Sequence, residues 1–159
     1  MNKTIDLAEM IPLMKEQLDA GKTVSFVPNG KSMEPMLDGG KDMIVLKKPE
    51  GRLHFQDVAM YYRRETGKYI VHRVVKVMND GTYVMLGDNN FEREYNIGED
   101  DIIGVVVNYY HKGKMRSVTS GTYRFYCDFW YYSRPFRHFG RRVKLSLKKR
   151  LGKEDQVGR

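Results

Sequence analysis

Apolar residues recur at helical spacing near both ends of the chain and in short strand-like runs between them. Leu7, Met10, Ile11, Met14 and Leu18 fall three or four apart, on one face of an α-helix. Asp6 and Glu9 stand as a cap pair and Gly21 as a stop, so residues 1–22 are expected to form a short amphipathic helix. Pro12 lies inside this stretch and is expected to kink the helix or to begin it. From Thr23 onward the runs are β-branched, aromatic and broken by Gly, Asp and Asn. They predict strands at residues 23–27, 42–47, 57–62, 68–77, 82–86 and 102–110, with Asn79-Asp80-Gly81 as a hairpin loop. A third pattern follows: Phe125, Phe129, Tyr132, Phe136, Phe139 and Val143 would line one stripe of a helix that Pro135 must bend or interrupt.

Charge sharpens the last boundary. Residues 121–159 hold 11 Lys+Arg against 3 Asp+Glu, which is the whole of the net +8, and nine of the 19 aromatic residues fall between 123 and 139. The expected organisation is therefore a helix at 1–22, a β domain at 23–120 and a basic aromatic tail at 121–159. The single cysteine, Cys127, excludes an internal disulfide, and no Cys/His cluster shows zinc-ligand spacing, so no metal or cofactor is implied. Residues 1–21 contain Asp6, Glu9, Lys15, Glu16 and Asp19, which fits neither a signal peptide nor a spanning helix; a cytoplasmic location is expected.

The candidate chemistry centres on a serine and a histidine. Asn29-Gly30-Lys31-Ser32-Met33-Glu34-Pro35 sets Ser32 after a glycine that lets the backbone turn and before a proline that stiffens the exit. A serine acts as a nucleophile only if a base takes its proton and donors hold the oxyanion. His72, within the strand-like run Tyr69-Ile70-Val71-His72-Arg73-Val74-Val75, is the candidate base. A three-residue loop at Asn79-Asp80-Gly81 would pair Met78 with Thr82 and place Asp88 opposite His72; a two-residue loop would place Asn89 there instead.

Four segments together carry a family resemblance: Ser32-Met33-Glu34-Pro35, Gln56-Asp57-Val58-Ala59-Met60-Tyr61, Val71-His72-Arg73-Val74 and Gly87-Asp88-Asn89-Asn90. In this order, spanning roughly residues 24–110, they resemble the successive motifs of signal peptidase I. The histidine resembles the endoplasmic-reticulum and archaeal type, which uses a Ser/His pair. The resemblance implies a mainly β fold, the twisted antiparallel domain shared with self-cleaving SOS-type repressors, here with a short N-terminal helix and a basic aromatic helical tail. It also implies a serine endopeptidase with Ser32 as nucleophile, His72 as general base and either Asp88 or Glu94 holding the ring, since the family often has an aspartate six residues beyond the first. Gly30 stands where the family commonly has an oxyanion-hole serine, which leaves that role to backbone N–H groups or to Asn29. Met33 and Pro35 complete the expected substrate-binding segment. Residues 1–21 are not expected to supply a counterpart of the family's N-terminal membrane anchor.

The expected substrate is a leader or precursor peptide with small residues before the cut, bound by strand addition. Lys31 is a poor substitute base, because it adjoins Ser32 and should point away, and Cys127 lacks a histidine motif. The rival reading is an inactive or self-cleaving repressor-type module of the same fold. Residues 123–151 are expected to hold the protein on the inner, anionic membrane surface, each basic residue contributing about 1 kcal/mol. Nucleic acid is a less favoured partner for the same segment.

Overall fold

The structure, a computed structural model, describes residues 7–137, 139 and 140. The first helical pattern is realised as α1 (Leu7–Asp19), with Ile11, Met14 and Leu18 buried and Leu13 exposed. α1 starts well before Pro12 and runs through it, giving up one backbone hydrogen bond. Asp6, the expected cap, lies outside the described residues. Gly21 ends the helix as expected: its φ is +75°, its N–H donates to Leu18 O at 3.0 Å, and Lys22 N–H donates to Gln17 O at 3.0 Å. That pair of bonds closes the last carbonyls and requires the left-handed backbone that glycine adopts freely.

Eight strands follow: β1 (Val24–Phe26), β2 (Met43–Lys47), β3 (Val58–Arg63), β4 (Lys68–Val77), β5 (Tyr83–Leu86), β6 (Glu94–Ile97), β7 (Ile102–His111) and β8 (Lys114–Ser117). They form one antiparallel sheet in the order β1-β2-β7-β3-β4-β5-β6, with β8 paired to β7. Six strands coincide with the runs read from the sequence. β6 escaped because it is only four residues long, half of them polar, its exposure does not follow the alternation of Glu-Tyr-Asn-Ile, and Asn96 sits at φ +59°. β8 escaped because it is mostly exposed and returns through a tight turn in which Lys112 and Gly113 both have positive φ.

The sheet has two apolar faces. On one, Leu18 of α1 meets the sheet at Gly104, where an added Cβ would lie 3.4 Å from Leu18 Cδ1 and 3.3 Å from Leu46 Cβ. On the other, Leu53, Ala59, Tyr61, Val74, Tyr83, Met85 and Ile97 form a buried cluster. Burying each large side chain there contributes about 1.5–3 kcal/mol. The chain divides into two compact units, one ending at Tyr123 and one beginning at Arg124; α2 (Gly121–Tyr132) carries it from the first into the second. Among the described residues no helix is long and apolar enough to cross a membrane.

Candidate active site

Strand register places His72 on the face of the buried cluster. β3 pairs with β4 so that Ala59 opposes His72 and Tyr61 opposes Ile70; Tyr61 is thus a diagonal neighbour on the same face. His72 is 2% exposed, and its Nδ1 lies 2.8 Å from Glu94 Oε1 and 3.2 Å from the Tyr61 hydroxyl. Tyr61 donates to Glu94 Oε2 at 2.6 Å, Arg63 Nε donates to the same oxygen at 2.6 Å, and Arg63 Nη2 pairs with Oε1. Burial works against the ionised Glu94, but the hydrogen bonds from His72, Arg63 and Tyr61 outweigh it and hold the carboxyl down at about 2. Burial, reinforced by the hydrogen bond to Glu94, pushes the Tyr61 hydroxyl far up, so it remains a donor. An ionised Glu94 at Nδ1 accepts the proton of that nitrogen, which in a neutral imidazole leaves the lone pair on Nε2.

The hairpin after β4 agrees with the expected register only at its closed end. Met78 N–H donates to Thr82 O at 2.8 Å, Val77 opposes Tyr83 and Lys76 opposes Val84. A bulge at Val75 then slips the ladder by one residue, so that Val74 opposes Met85 and Arg73 opposes Leu86. The expected pairing of His72 with Asp88 is therefore corrected: in the slipped register the position across from His72 is Gly87. Asp88 goes to Arg73 instead, which grips it from Nε and Nη2 at 2.7 Å each, both residues being buried. Arg73 also donates to Gln56 O at 3.0 Å and to the Tyr123 hydroxyl at 2.9 Å.

Each residue of Gly87-Asp88-Asn89-Asn90 has a separate task. A Cβ on Gly87 would lie 2.6 Å from Ser32 O, 2.9 Å from His72 Nε2 and 3.0 Å from Asn90 Nδ2, so three groups converge where this residue has no side chain. Asp88 anchors the turn through Arg73. Asn89 holds the Ser32 loop, its N–H donating to Ser32 O at 2.8 Å and its Nδ2 to Lys31 O at 3.1 Å. Asn90 Nδ2 points at His72 Nε2 from 3.4 Å, as suits a nitrogen that carries a lone pair.

Ser32 begins a helical turn in which Leu37 N–H donates to Met33 O at 3.0 Å. Behind it Gly30 adopts φ +97°, and Gly39 packs so closely that a Cβ there would lie 1.8 Å from Gly30 O. Ser32, His72 and Asn90 line one cleft of about 670 Å³, with Asn29, Gly30 and Met33 also on its wall. Pro35 and Lys31 are exposed and do not line it. The cleft touches Ser25, Phe26 and Val27 in succession, and Tyr69, Ile70, Val71 and His72 in succession. Consecutive strand residues point to opposite faces, so a cleft touching all of them runs along strand edges. Among the described residues those edges are open: β1 pairs only with β2, and residues 68–72 of β4 pair only with β3.

Among the described residues neither the Ser32 hydroxyl nor its amide has a hydrogen-bond partner. The arrangement therefore offers, on one cleft, a serine whose hydroxyl and amide are unbonded among the described residues and an imidazole oriented through Nδ1. Reading the sequence missed Tyr61, Arg63 and Gly87. The first two were within reach, because pairing Arg63 with Lys68 around Gly67 sets Tyr61 diagonal to His72. Among the described residues no group of three His, Cys, Asp or Glu is placed to hold a metal ion. In comparison with known proteins, no family model and no curated sequence matches the chain.

Proposed function

We propose that this cleft is the active site of a serine endopeptidase of the signal peptidase type, acting on an extended leader or precursor peptide. The observation that carries the reading is His72, held by Glu94 through Nδ1 and lining the same cleft as Ser32. Ser32 Oγ attacks the peptide carbonyl carbon and gives its proton to Nε2, while Glu94 keeps the ring in place and offsets its positive charge. The imidazolium returns that proton to the leaving amine, and water then releases the acyl group by the same route. The Ser32 amide supports the oxyanion, with the Asn29 side chain beside it. A substrate strand laid between the open edges of β1 and β4 satisfies backbone groups on both sides, and Phe26, Met33, Leu37, Met60 and Ile70 offer apolar contacts to its side chains.

One observation favours a second reading, a peptide-binding module without turnover: the Ser32 hydroxyl makes no hydrogen bond to His72 among the described residues. In peptidases without substrate such contacts are often long and tighten on binding. A single experiment separates the two readings. The full-length protein is incubated with a peptide library and the products are read by mass spectrometry. Cleavage should occur and should fall by roughly 10⁴-fold or more in Ser32→Ala and in His72→Gln, with circular dichroism unchanged. Binding without cleavage, or turnover retained in Ser32→Ala, overturns the peptidase assignment.

A further inference from the structure

The second unit presents an apolar surface of its own. Phe125, Phe129, Tyr132, Phe136 and Phe139 are between 59% and 81% exposed, while Cys127, on α2 between the first two of them, is buried. Intervals of four, three, four and three residues place the five rings on one helical stripe, and helical hydrogen bonds continue past Pro135, Ser133 N–H donating to Phe129 O and Arg137 N–H to Ser133 O. Phe125 and Phe129 stack with centroids 6.4 Å apart, whereas Trp130 is covered by the Arg137 guanidinium at 3.5 Å. Tyr123, expected in the same segment, is buried and bonded to Arg73, so the stripe begins at Phe125. Leaving such rings in water forgoes about 1.5–3 kcal/mol for each, and a contiguous patch of this kind marks a docking surface.

Charge decides what covers it. Between Asp101 and Glu154 the chain has one acidic residue, Asp128, while residues 121–159 contain 11 Lys+Arg. Arg141, Arg142, Lys144, Lys148, Lys149 and Arg150, which follow the stripe, lie outside the described residues. A second copy of the chain would set one strongly basic segment against another, which like-charge repulsion opposes. An anionic lipid surface satisfies both features, rings at the boundary of headgroups and acyl chains and cations at the phosphates. We infer that the stripe from Phe125 to Phe139, with the basic residues after it, docks this protein in the plane of an anionic membrane surface.

The inference is independent of the peptidase reading and is tested on the full chain by sedimentation with vesicles. With phosphatidylcholine vesicles containing about one-third phosphatidylserine the protein should pellet, it should be largely released at about 0.5 M salt, and with pure phosphatidylcholine it should stay in solution. Replacing Phe125, Phe129 and Phe136 together by Ser, all exposed positions, should weaken binding by more than about tenfold without changing the circular dichroism. The variant Lys148→Gln/Lys149→Gln/Arg150→Gln should lose a similar factor while keeping every ring. Failure of the parent protein to pellet, or binding that survives the serine replacements, overturns the inference. So does a dimer, or a complex with single-stranded oligonucleotide, that depends on the same rings in a protein indifferent to vesicles.

Discussion

Among the described residues two histidines rest against a buried or nearly buried carboxylate, and their surroundings differ. His72 Nδ1 lies 2.8 Å from Glu94, and His111 Nδ1 lies 2.6 Å from Asp42. Glu94 takes its remaining hydrogen bonds from the side chains of Tyr61 and Arg63. Asp42 takes its own from the backbone: Asp38 N–H at 2.6 Å and Lys112 N–H at 3.4 Å. It thereby closes the turn of residues 38–42, whose Gly39 backs onto Gly30 in the Ser32 loop. His72 lines the Ser32 cleft, with Asn90 Nδ2 3.4 Å from its other ring nitrogen; His111 does not line that cleft. An imidazole on a carboxylate is thus a common structural unit, and what the second nitrogen faces determines whether it can serve as a base.

The largest effect that would test this contrast is at Glu94. For a peptidase working through His72, Glu94→Gln should lower kcat/KM by roughly 10³–10⁴-fold, because the ring loses both its tautomer and its counter-charge. The same variant has a signature in stability. The Glu94 carboxyl titrates near about 2 in the folded protein against an ordinary 4.5, so its contribution is complete above the ordinary value and fades as pH falls through the folded one. Denaturant midpoints measured at neutral pH and at about pH 3 should therefore diverge more in the parent protein than in Glu94→Gln. Equal pH slopes in the two proteins would contradict the network drawn around this carboxylate.

Next in size is Asp88, the rival for the same role. Asp88→Asn leaves Arg73 buried against a neutral partner and should cost about 3–5 kcal/mol in a chemical denaturation curve. The pH dependence of cleavage should stay where it is at temperatures where the variant is folded, since His72 keeps Glu94. A displaced acid limb would instead return Asp88 to the catalytic role.

The smallest effect is expected at the second pair. Burial disfavours the Asp42 carboxylate, but the Asp38 amide and the His111 ring prevail and lower its pKa. Asp42→Asn should cost about 1–3 kcal/mol of stability and reduce kcat/KM by less than about tenfold. If it abolished cleavage in a folded protein as Glu94→Gln does, the two pairs would be equivalent and the distinction between them would fail.

What the sequence determined by itself was local. The period of apolar residues found α1 and six strands, because helix and strand periodicity depend on neighbours a few residues away. Gly21 announced the end of α1, and Asn79-Asp80-Gly81 announced the hairpin, for the same reason. Ser32 and His72 stood out as a pair of candidates, and tertiary structure alone could set them on one cleft, since the Asn89 bonds that pin Ser32 cross more than half the β domain in sequence. The choice between Asp88 and Glu94 was not legible at all. It turned on the single extra residue at Val75, which moved Gly87 opposite His72 and sent Asp88 to Arg73, and on β6, a strand of only four residues, which brought Glu94 alongside Met85. Register is decided by contacts summed along paired strands, so one bulge redirects every side chain beyond it.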